Sequence, residues 1–104
     1  MSKYINLKTA GGKSLSKTAC ALLLPLTLLS NKDNEIDRKA FVGVVNWIKD
    51  YRTWDKYWAE LVEKGVLIQV DKDIWMVSPH ECYSDGISHN ELINKWNEVR
   101  NATN

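Results

Sequence analysis

Cysteine, proline and long apolar stretches are scarce in this chain of 104 residues. Two cysteines, Cys20 and Cys82, are too few for a disulfide scaffold, so we expect a reduced, cytoplasmic protein. The most apolar run, 18–29, has twelve residues and contains Pro25, and it is too short to span a bilayer. Lysines precede this run as in a signal peptide, but no small-x-small cleavage pattern follows Leu29. We therefore expect neither an export signal nor a membrane partner.

An excess of charge of one sign is also missing. The net charge of +1 excludes a non-specific polycation. Residues 1–17 nevertheless carry four lysines and no acid, whereas residues 74–104 carry four acids against two cations. A nucleic acid would therefore contact the N-terminal arm and one helix face, with the acidic C-terminal part turned away. The alternative is a solvated surface on which the charges have no function.

Residue patterns typical of catalysis or metal binding are absent. We find no Ser–His–Asp arrangement and no paired carboxylates, so we predict no enzyme and no cofactor. His80, Cys82 and His89 lack the spacing of a metal site and are interpreted as incidental residues of a turn. The segment 11–14 resembles the end of a phosphate-binding loop, but Leu7 stands where that motif needs its first glycine, which favours a structural loop.

Helical periodicity and capping residues predict two helices in the first half of the chain. The first begins at Ser14 or Ser16 and runs to Leu29, with a kink or a break at Pro25. The second begins after the N-cap Asp37. Its residues with helical spacing are expected to form one buried stripe: Phe41, Val44, Val45 and Ile48.

A third helix is predicted over residues 51–64, with Asp50 as its N-cap and Gly65 in the left-handed conformation at its end. The short connection from the second helix favours a helix-turn-helix. Two strands, 66–70 and 74–77, then form a hairpin. The apolar residues that recur on the third helix are expected to face inward: Trp54, Trp58, Leu61 and Val62.

A last helix is predicted from the capping box formed by Ser88 and Glu91. Its apolar stripe of Leu92, Trp96 and Val99 leads us to expect a homodimer through this helix.

The order of these elements predicts an α+β winged helix-turn-helix with about four helices and a two- or three-stranded antiparallel wing. We divide the chain into a basic N-terminal arm at 1–14, a winged-helix DNA-binding core at 15–79, and a C-terminal loop and helix at 80–104. In such folds the first turns of one helix reach the base edges of double-stranded DNA. An ordinary amphipathic helix with a solvated charged face is the alternative.

Candidate DNA contacts follow from this geometry. The first turns of the third helix carry side chains that can bond base edges or phosphates. Lys72 at the hairpin turn is flanked by Asp71 and Asp73, which phosphates would repel, so the N-terminal lysines are the better phosphate contacts. The predicted DNA-binding residues are Tyr51, Arg52, Thr53, Lys56, Lys72, Lys13 and Lys17.

Three stretches also carry a family resemblance: the run 61–68 (LVEKGVLI), the run 74–79 (IWMVSP) and Gly86. In this order they resemble the RepL-type plasmid replication and maintenance proteins of Gram-positive bacteria, although Ser78 stands where that family has asparagine. The resemblance implies a winged helix and a DNA contact at Lys56. It also implies a plasmid or phage protein acting in replication, maintenance or transcription control, with host replication or transcription proteins as possible partners.

A second reading of the same fold is a winged-helix module that binds a host protein and no DNA. The near-neutral net charge and the acidic hairpin turn favour it.

Overall fold

Four helices and five short strands make up the part of the chain that the computed structural model describes, residues 3–5, 15–84 and 89–103. The fold is α+β with an antiparallel three-stranded sheet, as predicted, and it is consistent with a winged helix. The elements in chain order are β1 (Lys3–Ile5), α1 (Lys17–Leu29), β2 (Glu35–Asp37), α2 (Arg38–Val44), α3 (Tyr51–Glu63), β3 (Leu67–Gln69), β4 (Ile74–Val77), β5 (Cys82–Ser84) and α4 (His89–Thr103).

The three-stranded sheet has the order β2–β4–β3. β3 and β4 form the predicted hairpin, and Gly65 before it has a φ of 77°, the left-handed conformation expected at this helix end. β2 pairs antiparallel with β4, with Ile36 opposite Trp75. Since β2 leads directly into α2, this pairing fixes the start of α2 beside the hairpin. β1 and β5 form a separate antiparallel pair.

The first helix begins where a serine cap predicts it. The Ser16 hydroxyl accepts a hydrogen bond from the Ala19 N–H. The helix then continues to Leu29 with Pro25 inside it, so the structure does not show the local break considered at this proline. About three turns after the cap, the Thr27 hydroxyl donates to the Leu23 carbonyl at 2.7 Å.

The second helix is shorter than the sequence predicted. It ends at Val44, where the Val45 N–H caps it by donating to the Phe41 carbonyl. The chain then turns, and the turn buries Val45 and Ile48 while Val44 is 63% exposed. The prediction that Val44 belongs to the buried stripe was therefore wrong: Val44 is the last residue of α2 and faces solvent, and the residues that join Phe41 in the core come from the turn. Val62 in α3 was also assigned to the inner face wrongly, since it is 39% exposed.

The two faces of the sheet cover two separate apolar clusters. Val77 packs with the larger cluster, which α1, α2 and α3 also build. Its neighbour Met76 points to the opposite face, because successive strand residues alternate. There it packs against Leu92 and Trp96 of α4, with Val99 at the margin.

The apolar stripe of α4 is thus covered within the chain. Leu92 is fully buried and Trp96 is 3% exposed. The stripe formed by Leu92, Trp96 and Val99 packs on the sheet of the same chain, so it no longer indicates a dimer interface. Among the helices in the described ranges, none has the length and hydrophobicity needed to cross a membrane.

Candidate nucleic-acid interface

The start of α3 is held in place by its cap and by its inner face. The Asp50 carboxylate accepts a hydrogen bond from the Arg52 N–H at 3.0 Å, which confirms it as the N-cap. The Trp54 indole N–H donates to the Ile48 carbonyl at 3.0 Å. Phe41 of α2 meets the Trp54 ring edge to face, with 5.7 Å between the ring centroids. These contacts fix the orientation of the helix relative to α2.

The predicted orientation of α3 is confirmed by its burial. Trp54 and Trp58 are only 2% and 3% exposed, and both belong to the larger apolar cluster. Tyr51 is 81% exposed, and Arg52 and Lys56 are also exposed. The helix therefore buries its indoles and presents its N-terminal cations outward. Thr53, between them, is partly exposed.

Arg52 and Lys56 are four residues apart, so they lie one above the other on the same helix face. Neither cation forms a salt bridge among the residues that the structure describes. The Lys56 ammonium lies 5.5 Å from the centroid of the Tyr57 ring, a cation–π contact that leaves its hydrogen-bonding capacity available. The two side chains that best suit base or phosphate contacts are thus exposed and without an acidic partner.

Two of the three acids on the same helix, Asp55 and Glu60, have partners from the rest of the chain. The Asp55 carboxylate pairs with the Arg38 guanidinium of α2 at 2.7 Å. The Glu60 carboxylate accepts two hydrogen bonds from Ser16, one from its hydroxyl at 2.8 Å and one from its backbone N–H at 2.6 Å. The contrast with Arg52 and Lys56 gives this helix face a positive end near its N-terminus.

The predicted phosphate contact Lys17 lies close to this face. Ser16 bonds to Glu60, and Glu60 is one helical turn beyond Lys56 on α3. Lys17 follows Ser16 directly and is exposed. The structure thus brings the start of α1 to the side of α3 that carries Lys56. Lys13 lies outside the described residues.

The hairpin turn carries one cation, Lys72, between two acids, Asp71 and Asp73. Lys72 is exposed, but the Asp71 carboxylate accepts a hydrogen bond from the Lys72 N–H at 2.8 Å. On its other side, the Asp73 carbonyl accepts from the Arg38 N–H at 2.9 Å, which ties the turn to the start of α2. Lys72 is therefore accessible, with a carboxylate of its own turn beside it.

Sequence reasoning missed two cations near the start of α3. Lys39 in α2 and Lys49 in the turn are both exposed. Lys39 is close to the N-cap Asp37, and Lys49 is next to the N-cap Asp50. These positions near helix starts were the available signal in the sequence, but the prediction considered only cations on the third helix and at the hairpin turn and the N-terminal arm. Lys39 borders the same surface groove as Tyr51.

This groove lies between α2, the start of α3 and the hairpin turn, and its volume is about 520 Å³. Tyr51 and Trp54 contribute aromatic surface to it, and Gly43 leaves it open, since a Cβ built there would meet nothing within 4 Å. The full lining is Arg38, Lys39, Val42, Gly43, Tyr51, Trp54 and Asp73.

The histidines and the second cysteine do not come together as a site. The His89 ring nitrogen lies 2.9 Å from the Pro79 carbonyl, and His80 is exposed. The pKa of the Cys82 thiol is raised to about 11, chiefly by burial; a hydrogen bond with Thr27 acts against this shift, and the Glu81 carboxylate adds to it. Such a thiol stays protonated and is a poor metal ligand. No group of three potential metal ligands occurs within the described ranges.

Comparisons of this chain with protein-family models, with curated proteins and with solved structures gave no match. The resemblance to RepL-type proteins therefore stays a prediction.

Proposed function

We propose that this chain binds double-stranded DNA through the start of α3. The observation that carries the proposal is the exposed pair Arg52 and Lys56, which forms no salt bridge with the described residues. The helix that carries this pair is anchored on its inner face by two buried tryptophans. A helix of this kind matches the major groove in size, and its first turns reach furthest into it.

The side chains at this end of α3 suit both kinds of DNA contact. Arg52 and Lys56 can donate to guanine O6 and N7 or to phosphate oxygens. Thr53 lies between them and can bond a phosphate or touch a thymine methyl. Lys39 and Lys49 extend the positive surface to both sides of the helix start. Lys17 is the phosphate contact proposed beyond Lys56.

The small net charge limits how the protein can bind DNA. With a net charge of +1, long-range attraction to the polyanion is weak, and affinity depends on a few local contacts. Reversal of one central cation should therefore have a large effect. The role we propose is that of a plasmid or phage protein in replication, maintenance or transcription control, as the family resemblance implies.

The test compares two charge reversals on one helix. Lys56→Glu places an acid in the proposed interface, and Lys64→Glu makes the same charge change at the other end of α3. Binding to a labelled mixed-sequence duplex is measured by fluorescence anisotropy at about 0.1 M salt. We expect Lys56→Glu to weaken binding by about tenfold or more and Lys64→Glu by about twofold, because phosphate repulsion decays over a Debye length of about 10 Å. Equal losses would contradict the proposed orientation.

A protein-binding module without DNA affinity is the second candidate, and one observation favours it. α1 exposes Leu24 and Leu28 on one face, at 56% and 57%, and Val44 is also exposed. Exposed apolar surface of this kind is common at protein interfaces. This function predicts no duplex binding at any salt concentration in the same assay.

A further inference from the structure

The groove beside Tyr51 can accommodate a ligand that paired DNA does not offer. Its volume of about 520 Å³ lies within the range of roughly 300–1,000 Å³ typical of small-ligand sites. A base pair in a duplex is stacked above and below, so it offers only its edges to a groove in a protein. A single base that has left the stack offers a flat face.

Tyr51 provides the surface that such a base requires. Its side chain is 81% exposed although it stands at the first position of a helix whose inner face is buried, and it borders the groove. An aromatic ring stacks on any base, because every base has a π face. A solvent-exposed tyrosine at the tip of a DNA-reading helix is well placed to make this contact.

The charges around the groove suit a nucleotide that is still joined to a DNA strand. Lys39 is exposed at its margin, and Arg38 lines it while pairing with Asp55. Asp73 is the acid of the lining, and its backbone carbonyl bonds to the Arg38 N–H, so the cations of the groove come from α2. Phosphates on either side of a displaced base would therefore lie toward α2 and the start of α3.

Gly43 leaves the groove open, but a glycine lowers the stability of the helix that contains it. Glycine inside a helix is less favourable than alanine by about 1 kcal/mol. The φ of Gly43 is not positive, and a Cβ there would meet nothing within 4 Å, so neither strain nor crowding demands a glycine. The open space over this residue is part of the groove.

From these observations we infer that the groove between α2 and α3 takes one unstacked base of the bound DNA, held against the ring of Tyr51. The inference rests on the proposed function. It names the class of DNA that the protein prefers: duplexes that contain an unpaired or easily displaced nucleotide.

The experiment measures the ratio of two dissociation constants, one for a fully paired duplex and one for the same duplex with a single-adenine bulge, at the same salt concentration. The wild-type protein should bind the bulged duplex about tenfold more tightly, as expected for one base stacked on an aromatic ring. Tyr51→Ala should bring the ratio close to one, whereas Tyr51→Phe retains the ring and should retain the preference.

A second variant fills the groove instead of removing the ring. Gly43→Leu places a side chain in open space on an exposed helix face, so it should fold, and circular dichroism checks this. It should also bring the ratio close to one. Ala59→Leu is the matched control, since it makes a comparable change at an exposed position of α3 outside the groove and should leave the ratio as in the wild type.

Each other outcome overturns a defined part of the account. If neither duplex binds, both the proposed function and the inference fail. Lys56-dependent binding with a ratio near one overturns only the inference. A preference that survives both Tyr51→Ala and Gly43→Leu places the displaced base elsewhere and also overturns it. If free deoxyadenosine monophosphate binds in a Tyr51-dependent manner without any bulge preference, the groove takes a soluble nucleotide, and the inference about DNA is wrong.

Discussion

Helices α3 and α4 are built alike but differ in what surrounds their charges. Each buries an indole and a leucine on its inner face, Trp58 and Leu61 in α3 and Trp96 and Leu92 in α4. In α4 the Lys95 ammonium lies 3.5 Å from the Glu35 carboxylate and 3.8 Å from that of Asp33, so this cation holds the helix against the sheet.

In α3 the acids Asp55 and Glu60 have partners, whereas Arg52 and Lys56 form no salt bridge with any residue that the structure describes. The apolar stripe of either helix shows only which side packs inward, so it says nothing about function. Lys95 of α4 is ion-paired within the chain, whereas Arg52 and Lys56 of α3 are exposed.

The largest loss of stability is expected from a substitution on the inner face of α3. Trp58→Ala removes an indole that packs against Phe41, Trp75 and Arg38. It should lower the free energy of unfolding by about 4 kcal/mol, because a large cavity is left in the main core. Denaturant-induced unfolding followed by circular dichroism measures it. A loss under about 1 kcal/mol would show that α3 is not anchored as described.

A smaller loss is expected from the inner face of α4. Leu92→Ala should lower the free energy of unfolding by about 3 kcal/mol, since the smaller cluster has fewer neighbours to lose. Duplex affinity should stay within about twofold of the wild type at temperatures where the variant is folded, because no proposed contact comes from α4. Light scattering should give the same mass for variant and wild type. If the wild-type protein is a dimer and this substitution makes it a monomer, Leu92 lies in a dimer interface.

The smallest effect is expected from the acid between the two cations. Asp55→Asn removes a negative charge beside Arg52 and Lys56 and releases Arg38. Its effect on stability should be under about 1 kcal/mol, because Asp55 is 71% exposed and the pair is largely solvated. Duplex affinity should rise about two- to threefold at low salt, and the gain should shrink as salt screens the charges. Unchanged affinity at low salt would mean that DNA does not approach this face.

Local signals in the sequence predicted the framework of the site. Asp37 and Asp50 cap the helices they were expected to cap, and Gly65 has the positive φ expected of it. The inward direction of Trp54 and Trp58 was also predicted correctly. These features depend on residues a few positions apart, which is why spacing and residue type were sufficient.

The features that were missed depend on parts of the chain that are far apart in sequence. β2 has only three residues and exists because it pairs with β4, about forty residues later. The stripe of α4 was interpreted as a dimer interface, since a stripe looks the same whether its own sheet or a second copy covers it. The groove at Gly43 forms where two helices and a hairpin turn meet, and no local pattern predicts such a meeting.

The salt dependence of duplex binding tests the central claim most directly. For the wild-type protein, the logarithm of the association constant should fall linearly with the logarithm of salt concentration, with a slope of about −3 to −4 if four exposed cations contact phosphates. Arg52→Gln combined with Lys56→Gln should reduce the magnitude of this slope by about two. If the double variant binds with the wild-type slope, or if the wild-type protein shows no duplex binding at low salt, the outer face of α3 does not bind DNA.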